Sequence, residues 1–204
     1  MTVTAIRQTS ADRLTLVLDE AEEIKTTLGV ITEHRLYSGA QLDDKSAEAF
    51  RRDSARALAR ERAILLTSRR MYSRKELRDR LILKGEDADT AEYCVDWLER
   101  CGFLDDAAYA AAIVRHYAAK NMGIGRIRME LSRRGISREL WDEALAAMPD
   151  TGGALERYIE LHLSDPLDSS AVRKVSAALF RRGFSWDEIR AAIDRYTVDY
   201  EEDK

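Results

Sequence analysis

Three kinds of side chain in this sequence could do chemistry by type: three histidines, two cysteines and the paired acids Asp105-Asp106. His34, His116 and His162 lie in separate segments without H-x-x-H or H-E-x-x-H spacing, so they read as surface or structural histidines rather than ligands or bases. Cys94 and Cys101 lack a second cysteine pair or a nearby histidine. Their spacing puts them on one side of a single helix with Val95 and Leu98, as small core residues rather than a zinc site. Asp105-Asp106 could serve a metal-dependent hydrolase. At a helix start after Gly102-Phe103-Leu104, however, Asp105 is more simply an N-cap and Asp106 a favourable first-turn charge. Gly123-Ile124-Gly125-Arg126 could offer amides to a phosphate. With no strand before it and no Lys-Ser/Thr after it, a flexible helix-start turn is the better reading. No catalytic, metal or cofactor site is therefore expected, and the chain reads as a non-enzyme.

What remains is surface charge. Residues 1–50 hold 5 basic and 9 acidic residues, residues 51–140 hold 20 and 14, and residues 141–204 hold 8 and 14. A basic middle between acidic ends suggests an acidic partner, either nucleic acid or an anionic protein surface; solvated helix faces are the plain alternative. The candidate contact residues are Arg69, Arg70, Arg74, Lys75, Arg78 and Lys84, with Arg126, Arg128, Arg133 and Arg134 in matching places further on. Cations near helix C-termini offset the helix dipole, which accounts for Lys84, Arg133 and Arg134 without a partner. Arg69, Arg70, Arg74, Lys75 and Arg126 lie before or at helix starts, where a cation is mildly unfavourable, and are the stronger candidates.

The elements that must position them are mostly helices. Apolar residues make up 45% of the 204 and charged residues 34%, and only two prolines and ten glycines interrupt the chain, which suits a folded helical protein. No apolar run is long enough to span a bilayer, and Met1-Thr2-Val3-Thr4 does not begin a secretory signal. Two cysteines make no disulfide framework, so a cytoplasmic location is expected. Val3–Ile6 and Leu14–Leu18 read as strands of a hairpin, with a third piece at Leu28-Gly29-Val30 and a short helix near Ile31–Tyr37. From Ser46 the period becomes 3.6: Phe50, Ala57, Leu58, Ile64 and Leu65 stripe a long helix through Thr67. Ser73 and Glu76 form a capping box for the next helix, and another from about Asp89 stacks Ala91, Cys94, Val95, Leu98 and Cys101.

That unit recurs. Glu76–Gly85, Arg126–Gly135 and Lys174–Gly183 each place an apolar residue second, a leucine sixth, then cations and a glycine. After the second and third glycines come an apolar residue, a serine cap (Ser137, Ser185) and a helix carrying Trp141 or Trp186. The expected architecture is mainly α: tandem three-helix repeats forming an elongated, curved chain, with a small N-terminal β-ribbon. Its parts are residues 1–45 (ribbon and short helix), 46–104, 105–149 and 150–197 (the three repeats) and 198–204 (an acidic tail).

The segments Tyr72–Leu81 with Lys84-Gly85, Gly102-Phe-Leu-Asp-Asp-Ala-Ala-Tyr-Ala110, and Ile127 through Leu131 to Arg134-Gly135-Ile136 resemble the RecX family of recombination regulators. Leu36–Leu42 is similar to the family's approach to its first helix; the third repeat diverges, most of all around Ser164–Ser170. The resemblance implies a three-helix repeat protein without cofactor that binds the RecA–DNA filament, inhibits strand exchange and ATP hydrolysis, and in some members binds DNA weakly. A monomer is expected, with no membrane partner. The alternative is a sequence-selective DNA-binding regulator using helices 73–85 and 89–101 as a helix-turn-helix. That reading needs an exposed Asn, Gln or Arg on the reader helix, where the sequence offers mostly Asp and Glu.

Overall fold

Alternation in Arg13-Leu-Thr-Leu-Val-Leu18 makes a central strand, β2 (Arg13–Leu18), paired antiparallel with β1 (Val3–Gln8) and β3 (Glu22–Thr27). Leu16 stands opposite Ile6 on one side and Ile24 on the other. The computed structural model describes residues 1–10, 12–148 and 153–202. The chain divides between Leu104 and Asp105 into two compact units. The boundary expected between residues 149 and 150 lies outside the described residues.

The third strand is not Leu28-Gly29-Val30, as the apolar run suggests, but the polar stretch before it. Thr27 Oγ1 accepts the Val30 N–H at 3.4 Å and starts helix α1 (Leu28–Glu33), which buries Val30 and Ile31. β3 alternates just enough, with Ile24 and Thr26 inward, and its Glu22, Glu23 and Lys25 keep the sheet's edge charged. Helix α2 (Asp44–Thr67) closes the core of Val3, Leu16, Leu18, Val30, Ile31 and Phe50 over this sheet.

α2 serves two cores. Phe50 and Ala57 face the sheet; Ala59 and Ala63 face α3 (Arg74–Leu83) and α4 (Ala88–Arg100), which contribute Leu77, Leu81, Ala91, Cys94, Val95 and Leu98. The stripe expected through Ile64 and Leu65 is corrected here: these are 41% and 56% exposed, because the face toward α4 is built of alanines, which let the two backbones approach closely. Cys101 is corrected as well. α4 ends at Arg100, so Cys101 is an exposed C-cap residue while Cys94 is buried.

The repeated leucine and glycine are one capping device. The amide of the residue after each glycine bonds back to the leucine carbonyl: Glu86 to Leu81, Ile136 to Leu131 and Phe184 to Leu179, at 3.2, 3.1 and 3.3 Å. Each glycine amide in turn reaches the carbonyl three residues before it, as in Gly135 to Ser132 at 2.9 Å. This is a Schellman end, which needs a left-handed residue; Gly135 and Gly183 have φ of +70° and +93°. A sequence that repeats leucine, cation and glycine is thus repeating a helix stop.

In the second unit α5 (Asp106–Ala118), α6 (Ile124–Arg133), a 3-10 turn (Arg138–Leu140) and α7 (Trp141–Ala146) pack around Ile113, Val114, Ile127, Leu131 and Ile136. Ser137 makes no capping bond. The Trp141 indole instead ties the segment down by donating to the Ile136 carbonyl at 3.1 Å. α8 (Ala154–His162), α9 (Ser169–Arg181) and α10 (Trp186–Glu202) enclose Ile159, Leu163, Leu179 and Ile189. Ser185 and Glu188 form the capping box of α10. α10 continues through Val198, so the expected acidic tail begins as the last turns of a helix. No helix among the described residues is long and apolar enough to cross a membrane.

Candidate partner-binding surface

The groups considered first for chemistry are engaged structurally. Asp105 accepts the Ala108 N–H at 2.8 Å as an N-cap. Burial pushes the Cys94 thiol up to about 11, the reverse of an activated thiolate. Among the described residues no cluster of three or more His, Cys, Asp or Glu could hold a metal ion. The Gly123-Ile124-Gly125-Arg126 turn is tied to the third repeat. The Gly123 and Gly125 amides donate to the Arg182 and Gly183 carbonyls, both at 2.9 Å, so the start of α6 is spent on the third repeat's helix stop instead of an anion. An ideal Cβ on Gly125 would meet the Gly183 oxygen at 2.9 Å, and one on Gly123 or Gly183 would collide with backbone. The glycines are there for that approach.

The ten candidate cations fall into distinct situations. Arg74, at the first position of α3, is held by three carboxylates of α4: Glu92 at 2.8 Å, Asp96 at 2.6 Å, and Glu99. Arg78 joins Glu92 at 2.9 Å, and Lys75 pairs with Asp79 at 2.7 Å one turn on. Arg70 lies over the Tyr72 ring at 3.6 Å and donates to the Met71 carbonyl. The unfavourable helix-start position of Arg74 therefore has an internal explanation: the i, i+4, i+7 row Glu92, Asp96, Glu99 faces it. The sequence shows that row as an acidic helix face; its partner Arg74 lies 18 to 25 residues away.

In the second repeat the organising residue is one the cations pointed to without naming. Glu130 is 3% exposed, yet it is charged, held by Arg126 at 3.0 Å, Arg133 at 2.9 Å, and Arg134. Arg134 also donates to the Tyr109 hydroxyl at 3.2 Å. Burial pushes the Glu130 carboxyl upward, but hydrogen bonds from Arg134 and Arg133 outweigh it and hold the group below its ordinary value. The spacing Arg126-x-x-x-Glu130-x-x-Arg133-Arg134 is the signal that could have found it.

Three candidates remain. Arg69, Lys84 and Arg128 are exposed, and their side chains have no ion pair or hydrogen bond among the described residues. Arg69 follows α2, Lys84 caps α3, and Arg128 is exposed midway along α6. Structure thus separates cations that hold helices together from cations that are free to meet something else.

Residues 59–98 match the first three-helix domain of RecX, and residues 105–145 match its second. Regulatory protein RecX of Xanthomonas axonopodis pv. citri (strain 306) is 38% identical over 135 residues, covering 65% of this chain and 83% of that protein. The chain belongs to the RecX family. The RecX of Clostridium botulinum (strain Eklund 17B / Type B) is 26% identical over 198 residues, 92% of each chain. A crystal structure of regulatory protein RecX superposes with a TM-score of 0.72 at 23% identity, covering 95% of this chain and 98% of the other. RecX from Lactobacillus salivarius gives 0.59 at 23% identity, covering 69% and 96%. These two share the fold. As a RecX protein the chain is regulatory and non-catalytic, and its tandem three-helix units are those of the family.

Proposed function

We propose that this chain regulates RecA by binding the RecA–DNA filament in the cytoplasm as a monomer, inhibiting strand exchange and ATP hydrolysis without a cofactor. Membership of the RecX family carries the reading. The free cations support it: Arg69 and Lys84 sit at helix ends, Arg128 is exposed midway along α6, and all three can trade water for an anionic surface. The helix-turn-helix alternative requires a reader helix that tolerates phosphate. α4 instead presents Glu92, Asp96 and Glu99, which are occupied with Arg74 and Arg78.

Titration of the chain into RecA strand-exchange and ATPase assays tests the proposal directly. Both rates should fall with rising concentration; unchanged rates would sink it. Reversing Arg69, Lys84 and Arg128 to Glu together should weaken filament binding by about tenfold or more while leaving helical content unchanged. If DNA phosphates are contacted, wild-type affinity falls steeply with salt and the triple variant flattens that slope; a protein-only contact gives a milder dependence.

A further inference from the structure

A cavity of about 670 Å³ opens where the start of α6 meets the junction of α9 and α10. Its wall is apolar in a way the core does not require. Ile124, Met129 and Phe180 are 42%, 50% and 50% exposed, and Phe180 stacks on the half-exposed Trp186 with ring centroids 4.9 Å apart. Its charged members are as telling. Arg128 and Arg181 line it with no ion pair or hydrogen bond among the described residues, whereas Glu188 is occupied in the capping box with Ser185. The groove is also pre-formed: the two amide–carbonyl bonds from Gly123 and Gly125 fix one wall against the other.

We propose that this groove docks a short segment of another protein, one presenting a large apolar side chain between carboxylates. The aliphatic and aromatic lining would take the side chain, and Arg128 and Arg181 the flanking acids. The volume falls within the ordinary range for a ligand pocket and suits a Phe or Leu with its neighbours. A nucleic-acid strand fits less well. Such strands need a track of cations, while the groove offers two unpaired arginines, Arg128 and Arg181, with Glu188 on the same wall. The chain's own acidic end does not reach. α10 begins at the groove and stays helical for 17 residues, carrying that end about 25 Å away. The inference shares Arg128 with the proposed filament contact and goes beyond it; Phe180→Ser, outside that contact, tells the two apart, since it should weaken peptide binding and leave RecA inhibition unchanged.

The test is selection of random ten-residue peptides displayed on phage against the full chain, counter-selected on an Arg128→Glu/Arg181→Glu variant. Both arginines are exposed and unpaired, so the variant should keep the wild-type circular dichroism and melting temperature. The expected result is a consensus of one Phe, Leu or Trp flanked by Asp or Glu. A synthetic consensus peptide should bind the wild type, lose about tenfold or more on the double variant and on Phe180→Ser, and lose binding when its apolar residue becomes Ser. Selection without an acidic-apolar consensus, or binders indifferent to the double variant, would overturn the proposal. So would competition for the groove by a twenty-residue oligothymidylate that the consensus peptide cannot displace, which would make it a nucleic-acid site.

Discussion

In the first unit a single guanidinium, Arg74 at the head of α3, is shared by Glu92, Asp96 and Glu99 of α4. In the second a single carboxylate, Glu130, is shared by Arg126, Arg133 and Arg134 of its own helix and cap. The two clusters use the same number of opposite charges and do different work. The first ties one helix to another; its cation is 30% exposed and its carboxylates nearly half, so water and salt weaken every pair. The second lies within one helix, and its carboxylate is nearly buried, so it resists screening and cannot be lost cheaply. They also leave opposite residues of charge. The Arg74 cluster consumes a cation and presents acid, whereas the Glu130 cluster leaves α6 positive with Arg128 outside it.

The largest effect is expected from removing the buried member. Glu130→Ala should lower the unfolding free energy of the chain by about 3 kcal/mol, because Arg134 is left partly buried without its main counter-charge. Urea unfolding followed by the intrinsic fluorescence of Trp97, Trp141 and Trp186 measures it. Glu130→Gln should cost less, since an amide can still accept from the arginines. The pH dependence has a definite sign. Glu130 titrates below its ordinary value of 4.5 in the folded chain, so its contribution is full above that value and is lost as pH falls through the lowered folded value. The stability gap between wild type and Glu130→Gln should therefore narrow as pH falls below 4.5 and close as it passes the lowered folded value. A gap that stays constant down to pH 2 would show that the arginines do not stabilise the charge.

Arg74→Ala comes second, at about 1 kcal/mol, since each exposed pair is worth a fraction of that and three act together. The comparison sharpens with salt. Raising it to about 1 M should shrink the Arg74→Ala deficit while leaving more of the Glu130→Ala deficit intact, because the Glu130 carboxylate and its partner Arg134 are largely out of water while every member of the first cluster is wet. Equal salt sensitivity would erase the distinction between the two.

How far this was readable from residues alone depends on reach along the chain. The helix stops were legible because leucine, glycine and the following amide lie within six residues, and Ser73 with Glu76 for the same reason. The third strand was misplaced because Leu28-Gly29-Val30 is the more apolar stretch, and only the Thr27 cap and pairing with β2 decide against it. The exposure of Ile64 and Leu65 depends on how closely α4 approaches α2, a long-range fact. The candidate cations were found by type and position, but which of them are free depends on acids up to 25 residues away, as with Arg74 and Glu99. Glu130 could have been found, because its partners are all three or four residues distant. The docking of Gly123 and Gly125 on Gly183 spans some 60 residues and left no local trace.

Lys75 supplies the smallest prediction and a control on the others. It pairs with Asp79 at 2.7 Å one turn away, both side chains at least half exposed, in the less favourable order of cation before acid and at a helix start. Lys75→Ala should therefore change stability by no more than about 0.3 kcal/mol in either direction, since the lost pair is offset by removing a cation from the positive end of α3. Thermal melts at low and high salt would register it as a difference near the error of measurement. A loss approaching that of Arg74→Ala would mean that α3 is held by its total positive charge and not by the geometry of one guanidinium among three carboxylates. The contrast with Glu130 would then be one of burial alone.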